Sequence, residues 1–334
     1  MAGGSSTDKI SRTLTPHLSQ QAVVSLLTAV LFVGFAIFLP GFFTLSNIIG
    51  LLQSVATLGL LGLGMGVIVI ARGIDLSMIA TLAVPSAVVL NMVAQGYDIP
   101  VSFAAALALT VAFGALNGWL IAYAEMTALF ATLATGLLLY GLSGVFFRID
   151  VLPWPDALRG WSWLGRSSLL GLPMPVVFFV LATVGFFLLL NFTRFGRYVY
   201  PLGDNPQSAK VIGIPTRPLT VLLYILSALI GFFAGLVLAA VLNAMPVRVF
   251  ASTMIYDVIL VVVLGGIGLS GGRGGTMSVV VGTLMIGTLL NAMTLMDASF
   301  DVQNLIKGTL LLMAIILDSR LNPRNEETAQ QGDI

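Results

Sequence analysis

The residue types that carry out catalysis are scarce in this sequence. The chain of 334 residues contains no cysteine and one histidine, His17, which lies in a polar stretch before the first apolar run. Disulfides, thiol catalysis and thiolate metal sites are therefore excluded, and a histidine-based metal or acid–base centre has almost no support. No paired acids, and no nucleophile with a neighbouring base, can be assembled from the remaining polar residues. An enzyme is the least favoured class of function.

A glycine-rich segment from residue 265 to residue 275 could be considered as a phosphate-binding loop. Such a loop ends in Gly-Lys-Ser or Gly-Lys-Thr, because the lysine must reach the phosphates and the hydroxyl must reach Mg²⁺. The three lysines, Lys9, Lys210 and Lys307, never stand in that spacing. The sequence therefore predicts no ATPase site, and energy for any transport must come from another chain or from an ion gradient.

The composition identifies the solvent in which the chain folds. Hydrophobic residues make up 58% of the chain and charged residues only 9%, with a mean hydropathy of +1.04, whereas a soluble domain carries about 25% charged residues. The apolar runs approach the roughly 20 residues needed to cross a bilayer. A net charge of +1 without a long basic block gives no support to nucleic-acid binding. The sequence predicts an all-α, polytopic membrane protein.

Ten apolar stretches predict about ten transmembrane helices. They lie in one membrane domain, 22–317, between an N-terminal tail, 1–21, and a C-terminal tail, 318–334. The first run lacks a cleavage pattern, which indicates a retained helix. The eighth and tenth runs are short, and they could be tilted, half-spanning or re-entrant. The stretches are 22–40, 48–70, 76–95, 100–124, 127–149, 174–192, 219–243, 254–268, 276–296 and 302–317.

The distribution of basic residues predicts that both termini are cytoplasmic. Ten spans place both ends of the chain on one side, and the side richer in lysine and arginine faces the cytoplasm. Under this threading the cytoplasmic face holds ten basic residues and the outer face four. The two groups are Lys9, Arg12, Arg72, Arg194, Arg197, Lys210, Arg217, Arg273, Arg320 and Arg324, against Arg148, Arg159, Arg166 and Arg248.

The long inner loop, 191–218, is predicted to contain a short helix from Pro206 to Ile212. Asp204 or Asn205 can cap its start, proline suits its first turn, and Gly213 can close it. A two-turn helix hardly recovers its nucleation cost in water. We therefore expect packing against another surface to hold it in place.

Three segments of the sequence follow a recognisable family pattern in the same order along the chain. They are Gly73-Ile74-Asp75-Leu76-Ser77, the inner-loop motifs Thr193-Arg194-Phe195-Gly196-Arg197, Gly203-Asp204-Asn205, Ala209-Lys210 and Gly213-Ile214, and the glycine-rich Val263-Leu264-Gly265-Gly266 with Leu269-Ser270-Gly271-Gly272-Arg273-Gly274. These segments resemble the ribose-type ABC sugar permeases. Weaker matches at Asn291, Gln303, Lys307 and Gly308 extend the resemblance over about Asn47 to Leu317.

The resemblance implies the permease half of an ATP-driven importer in the bacterial cytoplasmic membrane. ATP would be bound by partner ATPase subunits, with no cofactor in this chain. Further partners would be a second permease copy or paralogue, an extracytoplasmic solute-binding protein and membrane lipid. Two groups of residues carry over, one for coupling to the ATPase and one as structural motif. They are Gly196, Arg197, Gly203, Asp204, Asn205, Ser208, Lys210 and Gly213, and Gly73, Asp75, Ser77, Gly265, Gly266, Gly271, Gly272 and Arg273.

The substrate path is expected to need uncharged polar groups and an aromatic face inside the bundle. Gln53, Asn91 and Asn291 are the first candidates, followed by Tyr140 and Gln303. Hydrogen bonding between helices is the alternative role for each of them. The substrate stays open, because the chain departs from the family pattern at several positions. The departures are Met78-Ile79-Ala80, Ile255 and Tyr140, and the wider set of polar candidates includes Asn117, Thr132 and Asn243.

Charged groups inside a helix bundle are functional candidates by default, because they are costly unless paired or hydrated. Asp75 stands near Arg72 and could form a local ion pair or cap a turn. Glu125 is expected to be solvated at a helix end. Asp257 could have a conformational role or be exposed at the outer end. An ion-coupled secondary transporter is the alternative function, but such carriers usually need more intramembrane carboxylates and often show two related halves.

Overall fold

The computed structural model describes residues 20–147 and 150–321. Each of the ten apolar stretches holds one α-helix, so the long apolar runs of the sequence locate these helices. Their bounds are α1 Gln20–Phe38, α2 Leu45–Ile70, α3 Met78–Ala94, α4 Ile99–Ala122, α5 Ala128–Phe146, α7 Met174–Phe192, α10 Thr216–Leu242, α11 Met254–Leu264, α12 Thr276–Leu295 and α13 Phe300–Leu321.

Short elements connect these helices. The helical ones are α6 Trp163–Arg166, α8 Arg194–Asp204 and α9 Pro206–Val211, together with the 3₁₀-helices Asp156–Trp161 and Val247–Ala251. Four strands of two or three residues were not predicted. They form two antiparallel pairs, β1 Val151–Pro153 with β4 Ala244–Pro246, and β2 Ser168–Leu169 with β3 Leu172–Pro173.

Six helices among the described residues are long and apolar enough to cross a membrane, namely α2, α4, α5, α7, α10 and α12. The chain is therefore an all-α, polytopic membrane protein. Helix α11 has 11 residues and is about 16 Å long, half the thickness of the hydrocarbon layer. Helix α13 has 22 residues, about 33 Å, and extends beyond the predicted stretch 302–317, but it is not among the six helices that are apolar enough to cross.

Helix α2 is the centre of the bundle. Its 26 residues are buried almost continuously from Leu51 to Ile70, and α7, α10, α11 and α12 all pack against it. The glycines of α2 allow close packing, as at Gly62, where an added Cβ would lie 2.9 Å from Val261 and from Val279. Small residues let neighbouring helices approach closely in this way.

The two ends of the bundle differ in their connections. One end carries the four strands and is called the strand end. The other carries α8, α9 and the turn from 265 to 275, and is called the glycine end. The described basic residues divide between the ends as the sequence predicted. Arg72, Arg194, Arg197, Lys210, Arg217 and Arg273 lie at the glycine end, and Arg159, Arg166 and Arg248 lie at the strand end, whereas Lys9, Arg12, Arg148, Arg324 and most of both tails lie outside the described residues.

Candidate functional site

The inner loop, 191–218, folds into two helices, of which the sequence predicted only the second. Helix α8 starts at a cap in which the Thr193 hydroxyl accepts a hydrogen bond from the Phe195 backbone N–H at 3.2 Å. Val199 and Leu202 are buried on its inner face. The apolar spacing Phe195, Tyr198, Val199 and Leu202 is helical. That spacing could have revealed α8, but the capping residues predicted only the second helix.

The predicted short helix is confirmed as α9. The Asn205 side chain accepts hydrogen bonds from the backbone N–H groups of Gln207 and Ser208, both at 3.0 Å, so Asn205 is the cap and Asp204 is the last residue of α8. The helix ends at Val211, one residue earlier than predicted. Gly213 closes it in a left-handed conformation with φ +84°, which glycine adopts without steric cost.

Helix α9 presents a mixed surface to solvent. Ser208 and Lys210 are exposed, as are two apolar side chains, Val211 at 87% and Ile212 at 70%. Ala209 is the one buried residue of this helix. A two-turn helix is marginally stable alone, and a partner surface would stabilise it by burying these exposed apolar side chains.

Gly203 forms a junction between the inner loop and the centre of the bundle. A Cβ at this position would overlap the Ile70 carbonyl oxygen at the end of α2. The same carbonyl accepts a hydrogen bond from the Gly272 N–H at 2.8 Å. Three backbone segments therefore meet where a side chain cannot fit. Gly196 has a similar role at the corner between α7 and α8, where a Cβ would overlap the Leu190 carbonyl.

The glycine-rich turn has a conformational reason for its composition. Gly266, Gly271 and Gly272 are left-handed, with φ of 96°, 79° and 71°, and a Cβ on Gly265 would overlap the Ser278 carbonyl. The next residue, Arg273, is exposed at the tip of the turn. The turn is thus shaped by backbone geometry that other residues adopt at a cost.

Side chains attach this turn to neighbouring helices. The Tyr200 hydroxyl on α8 donates to the Gly274 carbonyl at 3.0 Å, and burial raises the pKa of Tyr200, which keeps the phenol a neutral donor. The Asp318 carboxylate on α13 accepts a hydrogen bond from the Leu269 N–H at 3.1 Å. The turn therefore connects α8 to both α2 and α13.

Asp75 is buried and caps the turn that precedes α3, which was one of its predicted roles. Its Oδ1 accepts hydrogen bonds from the Ser77 N–H at 3.0 Å and the Ser77 hydroxyl at 2.6 Å. Its Oδ2 accepts from the Ser227 hydroxyl on α10 at 2.6 Å. The Asn117 amide on α4 donates to the Ser77 hydroxyl at 2.8 Å, and Thr135 on α5 donates to Asn117. Asp75 thus links the start of α3 to three other helices.

The backbone between α2 and α3 is not helical and is largely covered, so its polar groups need other partners. The Tyr224 hydroxyl donates to the Ile74 carbonyl at 3.3 Å, and the Thr132 hydroxyl accepts from the Leu76 N–H at 3.0 Å. Gly73 leaves room for the Tyr224 hydroxyl, which would lie 2.7 Å from a Cβ. Asn117 and Thr132, two of the wider set of polar candidates, therefore hold this connection in place.

A second buried charge is neutralised across two helices. Lys307 on α13 lies 2.9 Å and 3.0 Å from the two carboxylate oxygens of Asp257 on α11, and its Nζ also donates to the Thr253 hydroxyl at 3.3 Å. The side chains of both charged residues are 10% exposed. The alternative that Asp257 is exposed at the outer end is wrong, because α13 covers it. Glu125, by contrast, is solvated as predicted and pairs with Arg217 at 3.2 Å.

The five candidates for the substrate path make different contacts in the single chain. Asn291 and Asn47 exchange two amide hydrogen bonds of 2.8 Å and 2.9 Å between α12 and α2. Gln303 donates to the Ala298 carbonyl at 3.0 Å. The ring of Tyr140 stacks on another aromatic residue, Phe250, with centroids 4.9 Å apart.

The remaining two candidates make fewer described contacts. Asn91 lines an apolar crevice of about 280 Å³ between α3, α4 and α5, which includes none of the other four. Gln53 is half-buried on α2. Asn243, from the wider set, is the left-handed cap at the end of α10, with φ 57°. Asn47 was missed, because nothing in an apolar run shows which polar residue faces a helix 244 positions away.

In the comparison with known proteins, one family matches most of the chain. A family model described as "Branched-chain amino acid transport system / permease component" matches residues 47–315. No solved structure matches the chain.

Three curated relatives share about a third of their residues with this chain. The ribose import permease protein RbsC of Bacillus subtilis is 36% identical over 281 residues, 84% of this chain and 87% of the relative. The L-arabinose transport system permease protein AraH of Escherichia coli K12 is 35% identical over 294 residues, 87% and 88% of the two chains. The galactofuranose transporter permease protein YtfT of the same strain is 31% identical over 274 residues, 81% and 79%.

Proposed function

The chain belongs to this family of transport-system permease components, and we propose on that premise that it is the membrane-spanning subunit of an ATP-driven importer for a sugar or a related small polyol. The observation that carries the proposal is similarity over more than four fifths of the chain to permeases named for ribose, arabinose and galactofuranose. The family description names branched-chain amino acids. The relatives favour a sugar, because all three are named for sugars.

We propose that the chain crosses the bacterial cytoplasmic membrane about ten times, with both termini and the glycine end in the cytoplasm. The segregation of basic residues between the two ends supports this orientation. The membrane domain would then comprise residues 22–317, with 1–21 and 318–334 as cytoplasmic tails. The short helix α11 would cross only together with the turn that follows it.

The proposed docking site for the ATPase is α9 together with α8. Its residues are the exposed Arg197 and Asp204, the cap Asn205, the exposed Ser208 and Lys210, and the closing glycine Gly213. Val211 and Ile212 would add apolar contact. ATP would be bound by that partner, with no cofactor in this chain. A second permease copy or paralogue, an outer solute-binding protein and membrane lipid complete the proposed assembly.

The backbone junction at Gly203 supplies a route for the coupling motion. A displacement of α9 would act directly on α8, since Asn205 both ends one helix and caps the other. Gly203 is in backbone contact with Ile70 and Gly272, so α8 cannot shift without moving the end of α2 or the glycine-rich turn. Interfaces packed this tightly switch between discrete arrangements. Gly73, Asp75 and Ser77 would then fix the start of α3 relative to α2 during that switch.

The proposed substrate path uses Gln53, Asn91, Tyr140, Asn291 and Gln303. Asn91 lines a crevice that includes none of the other four, and a second permease copy would help to enclose the path. An ion-coupled mechanism receives no support from the intramembrane carboxylates. Asp257 is paired with Lys307, and Asp75 accepts hydrogen bonds from Ser77 and Ser227.

A labelling experiment tests both the orientation and the docking site. The chain has no cysteine, so Ser208→Cys introduces a single thiol on α9. We expect a membrane-impermeant maleimide to label it only from the cytoplasmic side, and more slowly when the ATPase subunits are bound. The matched control is Ser168→Cys, exposed at the strand end, which should be labelled only from outside and at a rate independent of the ATPase.

The two possible failures of this experiment are separable. Labelling of Ser208→Cys from outside would overturn the orientation. Cytoplasmic labelling that is indifferent to the ATPase would leave the orientation in place and remove the docking role of α9.

A further inference from the structure

A cavity of about 430 Å³ opens at the glycine end, beside the proposed docking helix. It lies between the ends of α2 and α4, the start of α10, and α9. Its charged lining residues are Arg72, Lys210, Arg217 and Glu125. Three cations and one carboxylate give a net formal charge of +2. Glu125 is in contact with Arg217, and the excess of basic over acidic lining residues favours an anion.

Two of these charged residues stand at positions that glycine would fill without steric cost. Arg72 has φ 66° and Glu125 has φ 55°, each just beyond the end of a helix, where a left-handed residue closes the last turn. The closing hydrogen bond after α2 runs from the Gly73 N–H to the Ile68 carbonyl at 2.8 Å. A strained non-glycine backbone points to a role for the side chain. Both side chains line the same cavity.

The depth of the cavity in the membrane is marked by aromatic side chains. Trp119 and Tyr123, on the last turn of α4, are 52% and 46% exposed, and tryptophan and tyrosine collect at the level of the lipid headgroups. The Tyr123 ring lies 5.5 Å from the Arg217 guanidinium. Ile121 and Ala122, in the same turn, line the cavity. The cationic groups therefore lie at headgroup level.

The rest of the lining combines apolar side chains with the hydroxyl groups of Thr216, Thr220 and Tyr224. Ile68, Leu202 and Leu223 contribute to the wall together with Ile121. A small soluble anion would gain nothing from these side chains, whereas the glycerol and first methylenes of a lipid would be buried against them. Basic pockets between transmembrane helices bind anionic headgroups, because the cations pair with the headgroup while the apolar wall covers the adjoining part of the lipid.

We propose that this cavity binds the phosphate of an anionic phospholipid headgroup, with Arg72 and Arg217 as its principal ligands and Lys210 at its edge. The proposal requires only that the glycine end lies at a membrane surface, and it does not depend on the transported substrate. Because Lys210 belongs to α9, the bound lipid would lie in contact with the proposed docking helix.

The experiment measures lipid retention by native mass spectrometry on the purified, assembled transporter, with phosphatidylglycerol, phosphatidylcholine and inorganic phosphate as probes. Arg72→Gly removes one cation and relieves the left-handed backbone, so the variant is expected to fold. We expect its affinity for phosphatidylglycerol to fall about fivefold, the contribution of one basic residue near an anionic surface. Glu125→Gln removes the competing carboxylate, and we expect affinity to rise by a similar factor.

Arg194→Gln is the matched control, because it removes one exposed arginine at the same end, outside the cavity. It should leave lipid affinity unchanged. Opposite shifts in Arg72→Gly and Glu125→Gln would support the site, since a merely structural loss would weaken binding in both variants. Equal retention in all variants, or equal retention of phosphatidylcholine and phosphatidylglycerol, would overturn it. Displacement of the lipid by millimolar inorganic phosphate would assign the cavity to free phosphate instead.

Discussion

Replacing Lys307 by methionine should destabilise the protein far more than replacing an exposed arginine or lysine. Its ammonium lies 2.9 Å and 3.0 Å from the carboxylate oxygens of Asp257, with both side chains 10% exposed. At an effective dielectric constant of about 20, a pair at this distance attracts by about 6 kcal/mol. Desolvation of the two charges offsets most of that attraction. The pair therefore contributes little net stability, but either charge is strongly destabilising when it stays buried without its partner.

The expected values follow from this asymmetry. Lys307→Met leaves a buried, unpaired carboxylate and should lower the free energy of unfolding by about 3–5 kcal/mol. The double variant Lys307→Met with Asp257→Leu removes both charges and should return to within about 1 kcal/mol of the parent chain, or exceed its stability. The strongly non-additive pattern is the diagnostic result.

The measurement is unfolding in mixed detergent and SDS micelles, followed by the circular dichroism of the helices. Arg248→Met is the matched control, because Arg248 pairs with Asp150 at 2.7 Å but their side chains are 71% and 60% exposed. Exposed pairs contribute about 0–1 kcal/mol. If Lys307→Met costs no more than Arg248→Met, or if the double variant is as unstable as the single one, the reasoning from burial is refuted.

Two further predictions concern the backbone junction and the substrate path. Gly203→Val should insert properly but lower transport per ATP hydrolysed by about tenfold or more, because even 1.4 kcal/mol of strain at the junction shifts an equilibrium tenfold. Gly160→Val, at a position with no neighbour within 4 Å, should behave as the parent, and equal coupling in both variants would contradict the junction. Asn291→Leu should cost about 1 kcal/mol of stability by removing both amide hydrogen bonds to Asn47, which keeps its bond to the Phe42 carbonyl. If transport returns in the Asn47→Leu and Asn291→Leu double variant, Asn291 is a packing group, whereas a persistent loss supports substrate contact.

The sequence predicted the positions of the long helices because each one coincides with an apolar run. Helix α9 was equally easy to predict, because its cap Asn205 directly precedes it and its closing residue Gly213 is the second residue after its end. Both predictions use information that is local in the chain. Helix α8 was missed although its apolar spacing is local too, because the prediction used the capping residues around Pro206 and not that spacing.

The parts that could not be predicted depend on contacts between distant segments. The Asp257 carboxylate meets Lys307 across 50 positions, and Asn47 meets Asn291 across 244. An apolar run shows that a helix spans a membrane, but it does not show which side of that helix meets which neighbour. For the same reason the sequence could nominate polar residues for the substrate path without separating those that hold helices together.

Helix α2 explains how an event at the glycine end could reach the strand end. Its Ile70 carbonyl takes part in the junction with Gly203 and Gly272, and its first turn carries Asn47, which is bonded to Asn291 on α12. A helix of 26 residues is about 39 Å long. Because it is buried along most of its length, bending it would disturb the packing of four neighbours. A displacement imposed at Ile70 is therefore more easily accommodated as a rigid shift of α2, which would strain or break the Asn47 to Asn291 pair at the opposite end.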